Sequence, residues 1–286
     1  MTAAAPTLRV KVRQPPPSVG ARALRGMRRY ALTVFAGLAF AYLLLPIAVV
    51  VLFSFNDPAG RRNLTWQGFT LDNWMNPFGY PDLRAAVELS LKIAALSTIF
   101  ATVLGTLIAL ALVRYRFRGR TGTNLLIFLP MATPEIVMGS SLLTLFLNYS
   151  FPLGFTTILI AHIMFNISYV VVTVRARLIG FDRHLEEAAM DLFANPWTTF
   201  FRVTLPLIAP GVIAASLLGF ALSVDDFVIT YLVSGSETTF PLFVWGAARV
   251  AVPPQINVIG SAIFLVALAL MLANVLWQRR RSLKGA

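Results

Sequence analysis

The chain has 286 residues, 57% of them hydrophobic and 13% charged, with a net charge of +12 and a mean hydropathy of +0.75. Soluble domains carry about 25% charged residues, so an ordinary water-soluble domain is excluded. The absence of cysteine removes disulfides, thiolate chemistry and most zinc sites, and two histidines as far apart as His162 and His184 make a poor metal pair.

Residues 1–29, with "QPPP" and scattered arginines, read as a disordered basic tail lying near anionic lipid. Six apolar segments follow, near 30–55, 85–113, 124–147, 153–174, 207–233 and 256–277. Each is long enough for a membrane helix, which needs about 20 residues. The first lacks a short apolar core with a small-residue cleavage site, so it reads as a retained anchor. Pro46, Pro130 and Pro134 fall inside these segments and predict kinks that a helical bundle tolerates. Together they make an all-α membrane protein, with a six-helix domain over 30–278, a loop at 175–209 and a second basic tail at 279–286.

Charge placement sets the orientation. Of the 24 Lys and Arg, 19 fall before the first segment, in "RYRFRGR", between segments four and five, or after the last. Arg61, Arg62, Arg84, Lys92 and Arg249 make up the remainder. By the positive-inside rule both termini of this multi-pass membrane protein are expected to be cytoplasmic. The basic balance thus reflects topology, and no nucleic-acid partner is expected. Trp66, Trp74, Trp245 and Trp277 fall at the expected interfaces, where amphipathic rings sit well.

The segment 181–211, "FDRHLEEAAMDLFANPWTTFFRVTLPLIAPG", is unusual between two hydrophobic spans. Asp182 can cap a helix with Glu186 and Glu187 near its positive end, and Leu185, Ala188, Ala189 and Leu192 recur at helical spacing. Asn195-Pro196 stops that helix and starts another, lined by Trp197, Phe200, Phe201 and Thr204. Pro206 and Pro210 are expected to break the chain before the fifth span. The result is two short surface helices, the first tipped with exposed acid and shaped to dock in a partner's groove.

Besides Glu88 near the start of the second, three acids lie within the apolar segments: Glu135, Asp225 and Asp226. A carboxylate in hydrocarbon costs about 2.5–3.5 kcal/mol on insertion scales, so each should face protein or water. Two readings stand: a structural acid that caps a broken helix or binds an arginine such as Arg249, or a path on which a cationic substrate meets carboxylates and aromatic faces. Glu88 and Lys92 are spaced to pair along one helix. His162, Asn166 and Ser168 read as hydrogen-bonded packing between helices.

The loop resembles the EAA loop of permease subunits of ATP-binding-cassette importers, with Glu187, Ala188, Ala189, Asp191, Leu192, Ala194, Leu205 and Pro206 at matching positions. The family usually has glycine where this chain has Phe193. "FTLDNW" resembles the family's extracellular entry segment, while "PEIVMGSSLLTLF", "SVDDFVITYLVSG", "FPLFVW" and "PPQINVIGSAIF" are similar to spermidine/putrescine permeases, and permeases for iron, opines or aminophosphonates share parts of them. The resemblance implies a type I importer fold whose loop docks on an ATPase. The implied assembly holds a second permease, two ATPase subunits, an extracytoplasmic substrate-binding protein and a cationic small-molecule substrate in a lipid membrane. ATP and Mg would be bound by the ATPase and no cofactor by this chain, which lacks GxxxxGK[ST] and any catalytic constellation. An ion-coupled carrier is the alternative from another class, disfavoured by the absence of inverted halves.

Overall fold

The computed structural model describes residues 19–60 and 62–284. The side chains of 19–29, 270, 271, 274, 275 and 277–286 also lie outside the described residues, and with them residues 1–18 of the expected first tail, the side chains of the second tail over 279–286 and the Trp277 anchor. The helices are α1 (Val19–Phe53), α2 (Asp72–Met75), α3 (Pro81–Arg114), α4 (Arg120–Ala132), α5 (Glu135–Asn148), α6 (Phe155–Ile179), α7 (His184–Asp191) and α8 (Pro196–Thr199). A π-helical turn, Phe200–Thr204, leads into α9 (Leu205–Asp225), followed by α10 (Val228–Val233), α11 (Phe240–Val250) and α12 (Pro254–Lys284). An isolated bridge between Asn56 and Phe69 is the only strand-like pairing among the described residues.

Among the described residues, four helices are long and apolar enough to cross a membrane, or five if α4 and α5 count as one bent span. That pair corrects the expectation of a continuous third span: α4 and α5 meet at 109°. The reason is the "TP" at Thr133-Pro134, since proline drives the preceding residue out of helical geometry, and Thr133 has φ −82° and ψ 133°. Glu135 therefore begins α5 instead of sitting mid-span. The fifth segment is likewise divided, α9 ending at Asp225 and α10 starting at Val228. At the front, α1 begins at Val19, so residues 19–29 continue as helix where a tail was expected.

The chain forms two compact units, one of residues 1–55 with 257–286 and one of residues 56–256. The second is built on α3, α6 and α9. Lipid tails are as apolar as leucine, so such helices associate by close packing, not by escape from water. Small side chains on α3 (Ala94, Ala101, Gly105 and Ala109) are buried in keeping with this. The approach is tightest at Gly105, where an added Cβ would come within 2.7 Å of Val170 Cγ1 on α6. One core cluster joins Leu112, Val170, Val174 and Ile208, and a second joins Ile93, Met138, Ile158, Phe165 and Ile229. In the latter, α10 folds back on α5 at Gly139, where a Cβ would lie 2.7 Å from Leu232 Cδ1.

Gly105→Ala is expected to force α3 and α6 apart, at a cost of about 1–3 kcal/mol for overpacking. The thermal unfolding midpoint of the purified chain in detergent should fall, and Gly105→Ala/Val170→Ala should recover most of the loss. An unchanged midpoint in Gly105→Ala would contradict this packing.

Candidate functional site

The break between α9 and α10 has built-in acceptors. In hydrocarbon an unpaired backbone N–H has no water to turn to, and here the Asp226 Oδ2 atom accepts from Thr230 N at 2.8 Å and from Thr230 Oγ1 at 2.6 Å. His162 of α6 joins them, with Nε2 2.9 Å from Thr230 Oγ1 and 3.4 Å from Asp226 Oδ2. Its Nδ1 lies 2.6 Å from Ser223 Oγ, which in turn is 3.1 Å from Ser97 Oγ on α3. The tautomer with its proton on Nε2 satisfies these partners: Ser223 donates to Nδ1, Nε2 donates to Thr230, and Thr230 donates to Asp226. The His162 and Asp226 side chains are only 3% and 6% exposed.

Asp226 therefore fits the reading of an acid that caps a broken helix. Asp225, one residue earlier and on the last turn of α9, is exposed, as is Glu135 on the first turn of α5. Arg249 is not the acids' counter-ion: its guanidinium carbon sits 4.6 Å from the centre of the Trp245 ring. Trp245 packs 5.3 Å from Phe227, which stacks on Tyr231 at 5.7 Å. Three aromatic rings thus gather just beyond the Asp225–Asp226 break. Sequence spacing contained the cap, because Asp226 and Thr230 are four residues apart, but not its tie to His162, which needs α6 to pack on α10.

The other polar expectations divide. Glu88 does lie 4.0 Å from Lys92, yet its shorter pair is with Arg84 at 2.8 Å. Asn166 is fully buried, but neither side-chain polar atom has a protein partner among the described residues, so it is not the interhelical bond expected. It faces Gly219 of α9, which has no side chain to offer one.

The 181–211 segment keeps its first helix as expected. Asp182 Oδ1 accepts from His184 N at 3.0 Å at the start of α7, and Asn195 Oδ1 accepts from Thr198 N at 2.8 Å at the start of α8. The second helix departs from expectation, because Pro206 and Pro210 do not break the chain. The run Pro196–Asp225 is helical throughout. Pro206 lies in the first turn of α9, where its missing N–H costs little, and the π turn before it re-registers the ladder through an i→i+5 bond from Leu205 N to Phe200 O.

Helix α7 buries none of its residues. Leu185, Glu187, Ala188, Met190, Asp191, Leu192, Phe193 and Trp197 are exposed, Ala189, Ala194 and Leu205 half-buried, and Pro206 exposed. Phe193 is 98% exposed and has φ +64°. It occupies the left-handed position of a helix stop in which Phe193 N donates to Met190 O and Ala194 N to Ala189 O. Glycine adopts that conformation freely, whereas a residue with Cβ gives up about 1–2 kcal/mol. Glu186 corrects the expectation of an acid-tipped exposed helix. Its side chain is 14% exposed and bonded to Arg114 Nη2 and Thr204 Oγ1, while Glu187 is 62% exposed beside His184.

Asp226→Ala should orphan the Thr230 N–H and the Thr230 hydroxyl, lowering stability by about 1–3 kcal/mol per unpaired group. Asp225→Asn should stay within about 0.5 kcal/mol, as surface changes do. Thermal unfolding of the purified chain separates the two, and equal midpoints would contradict the cap.

The family described as "Binding-protein-dependent transport system inner membrane component" matches residues 101–280. The spermidine/putrescine transport system permease protein PotC of Escherichia coli is 39% identical over 244 residues, covering 85% of this chain and 92% of that protein. The putrescine transport system permease protein PotI of Escherichia coli is 40% identical over 235 residues, covering 79% and 83%. Among solved structures, a bacterial ABC transporter involved in import of the acidic polysaccharide alginate aligns with a TM-score of 0.61 at 19% identity, over 93% of this chain and 99% of that one. The same kind of transporter in complex with an alginate pentasaccharide-bound periplasmic protein gives 0.62 at 15%, over 89% and 94%. With identity at this level over most of both chains, the protein belongs to the inner membrane components of binding-protein-dependent transport systems, as a permease subunit of an ABC importer.

Proposed function

We propose that this permease carries polyamines inward, as one of two permease subunits driven by a separate pair of ATPases and fed by an extracytoplasmic binding protein. The observation that carries the substrate reading is the pair of exposed carboxylates, Glu135 and Asp225, on helices of a membrane chain, with Phe227, Tyr231 and Trp245 grouped nearby in sequence and space to Asp225. A polyamine ammonium that sheds water needs anionic oxygens or aromatic faces in exchange. The names of the 38–40% identical relatives point to the same substrate class.

In this reading six spans cross the membrane and both termini are cytoplasmic. The sixth span is α12, whose described apolar stretch covers Pro254–Ala269. The helix α7, with Glu187 and the exposed row of Leu192, Phe193 and Trp197, docks on an ATPase subunit. ATP and Mg are bound there, and this chain does no hydrolysis itself. Closure of the ATPase dimer moves the docked helices together and tilts the spans outward, so that the binding protein releases substrate into the path. Hydrolysis restores the inward state. Each step is a shift between conformations that differ in affinity for a ligand.

Topology is tested with Gly60→Cys, at a position where an added side chain meets nothing within 4 Å. In intact cells an impermeant maleimide should label it from outside, and labelling only after lysis would overturn the orientation. The substrate path is tested by polyamine uptake per assembled complex. Glu135→Gln and Asp225→Asn keep size and lose charge, and each should lower uptake by about tenfold, equivalent to ~1.4 kcal/mol. Unchanged uptake in both would remove the carboxylates from the path.

A further inference from the structure

Glu186 and Glu187 are neighbours on one helix, and neighbours on a helix point about 100° apart. The structure uses that angle to separate them. Glu187 faces outward, while Glu186 turns into the body and accepts from the Arg114 guanidinium and the Thr204 hydroxyl. Arg114 Nη2 also lies 3.4 Å from Thr204 Oγ1, so the three groups close on one another. Arg114 is the last residue of α3, and Thr204 is the fully buried last residue of the π turn that opens into α9. A second bond ties the residue preceding α7 to α3, from Arg183 Nη2 to Val113 O at 3.1 Å.

We infer that Glu186 is a transmission strut: with Arg114 and Thr204 it carries movement of α7 into α3 and α9. Three observations support this. First, α7 has no buried residue, so apolar packing is not what holds it to the body, and polar ties take that part. Second, the arginine and glutamate side chains are 27% and 14% exposed. A pair shielded this far is screened less than a surface pair, and loss of one partner leaves the other charge uncompensated. Third, the strut lands on the π turn, a local departure from α-helix of the kind found frequently at functional sites. The helices it reaches, α3 and α9, are the ones that pack with α6 to form the core around Leu112, Val174 and Ile208. A displacement of α7 is therefore handed to two core helices at one point. The inference rests on the importer reading above, and assigns Glu186 to positioning within this chain, not to the ATPase surface.

The geometry is tested without any ATPase. The chain has no cysteine, so Arg114→Cys/Glu186→Cys in membranes should cross-link with a short bismaleimide, whereas Arg114→Cys/Glu187→Cys should cross-link at least fivefold less. Equal yields would overturn the strut whatever the fate of the importer reading. The role is tested in the reconstituted transporter with its ATPase and binding protein. Glu186→Gln and Arg114→Gln should retain the ATPase subunit on purification yet lower polyamine uptake per ATP hydrolysed by fivefold or more. The exchange Arg114→Glu/Glu186→Arg should restore at least half of that ratio. Glu187→Lys should behave differently, shedding the ATPase subunit. An unchanged uptake-to-hydrolysis ratio in Glu186→Gln, or loss of the ATPase subunit in that variant with no recovery in the exchange, would overturn the strut. If Glu186→Gln fails to accumulate in the membrane, the exchange decides: coupled uptake restored supports the strut, and accumulation restored without coupling overturns it.

Discussion

The carboxylate of Asp226 is the contact on which the arrangement of the second half of the chain depends. A helix that starts inside an apolar slab leaves N–H groups with no solvent, each costing several kcal/mol if nothing accepts them. Asp226 takes the Thr230 N–H and its hydroxyl, and His162 fixes both to α6. With that cap in place α9 can end at Asp225 and α10 can fold back against α5 at Gly139. The Ser97–Ser223–His162–Thr230 chain then ties the break to α3 and α6.

The same solution occurs twice. Asp225–Asp226 and Glu186–Glu187 are each a pair of adjacent acids in which one is buried and bonded and the other is exposed. The first pair divides at a helix break, the second by the angular step along an intact helix. In both, the inward acid fixes the backbone that presents the outward one. Asp226 ends the helix on which Asp225 stands, and Glu186 ties down the helix from which Glu187 projects. Charge-assisted bonds suit this duty, being about twice as strong as neutral ones.

How much of this was legible in the sequence follows the distance over which each interaction acts. Asn195-Pro196 gave the start of α8 because a cap and a first-turn proline are local signals. The long apolar runs gave α3, α6 and α9 for the same reason. Thr133-Pro134 carried the signal for the α4–α5 bend, but a proline kink and a 109° turn look alike until the packing of α5 against α10 is known. Pro206 and Pro210 misled in the opposite sense: the π turn that accommodates Pro206 leaves no mark in composition, and Pro210 sits inside α9. The Arg114–Glu186 bond spans 72 positions and was out of reach of any local pattern. The spacing of Glu186 from the start of α7 suggested a dipole partner and an exposed side chain, and the tertiary arginine prevailed over that local preference.

Exposure has a different meaning here from that in a soluble protein. Apolar side chains such as Phe100, Leu107, Ile213 and Leu217 are exposed on α3 and α9, and hydrocarbon covers such surface without penalty. An exposed carboxylate on a helix of such a chain is another matter, because facing lipid would cost it about 2.5–3.5 kcal/mol on insertion scales. Glu135 and Asp225 therefore divide this chain's surface physically. Each must meet water or another protein, and the aromatic group of Phe227, Tyr231 and Trp245 begins two residues after Asp225. Lipid-facing and non-lipid-facing surface cannot be separated by hydrophobicity alone in a chain that is 57% hydrophobic. They are separated by where the structure leaves a charge outward, and the break at Asp226 leaves Asp225 in that position.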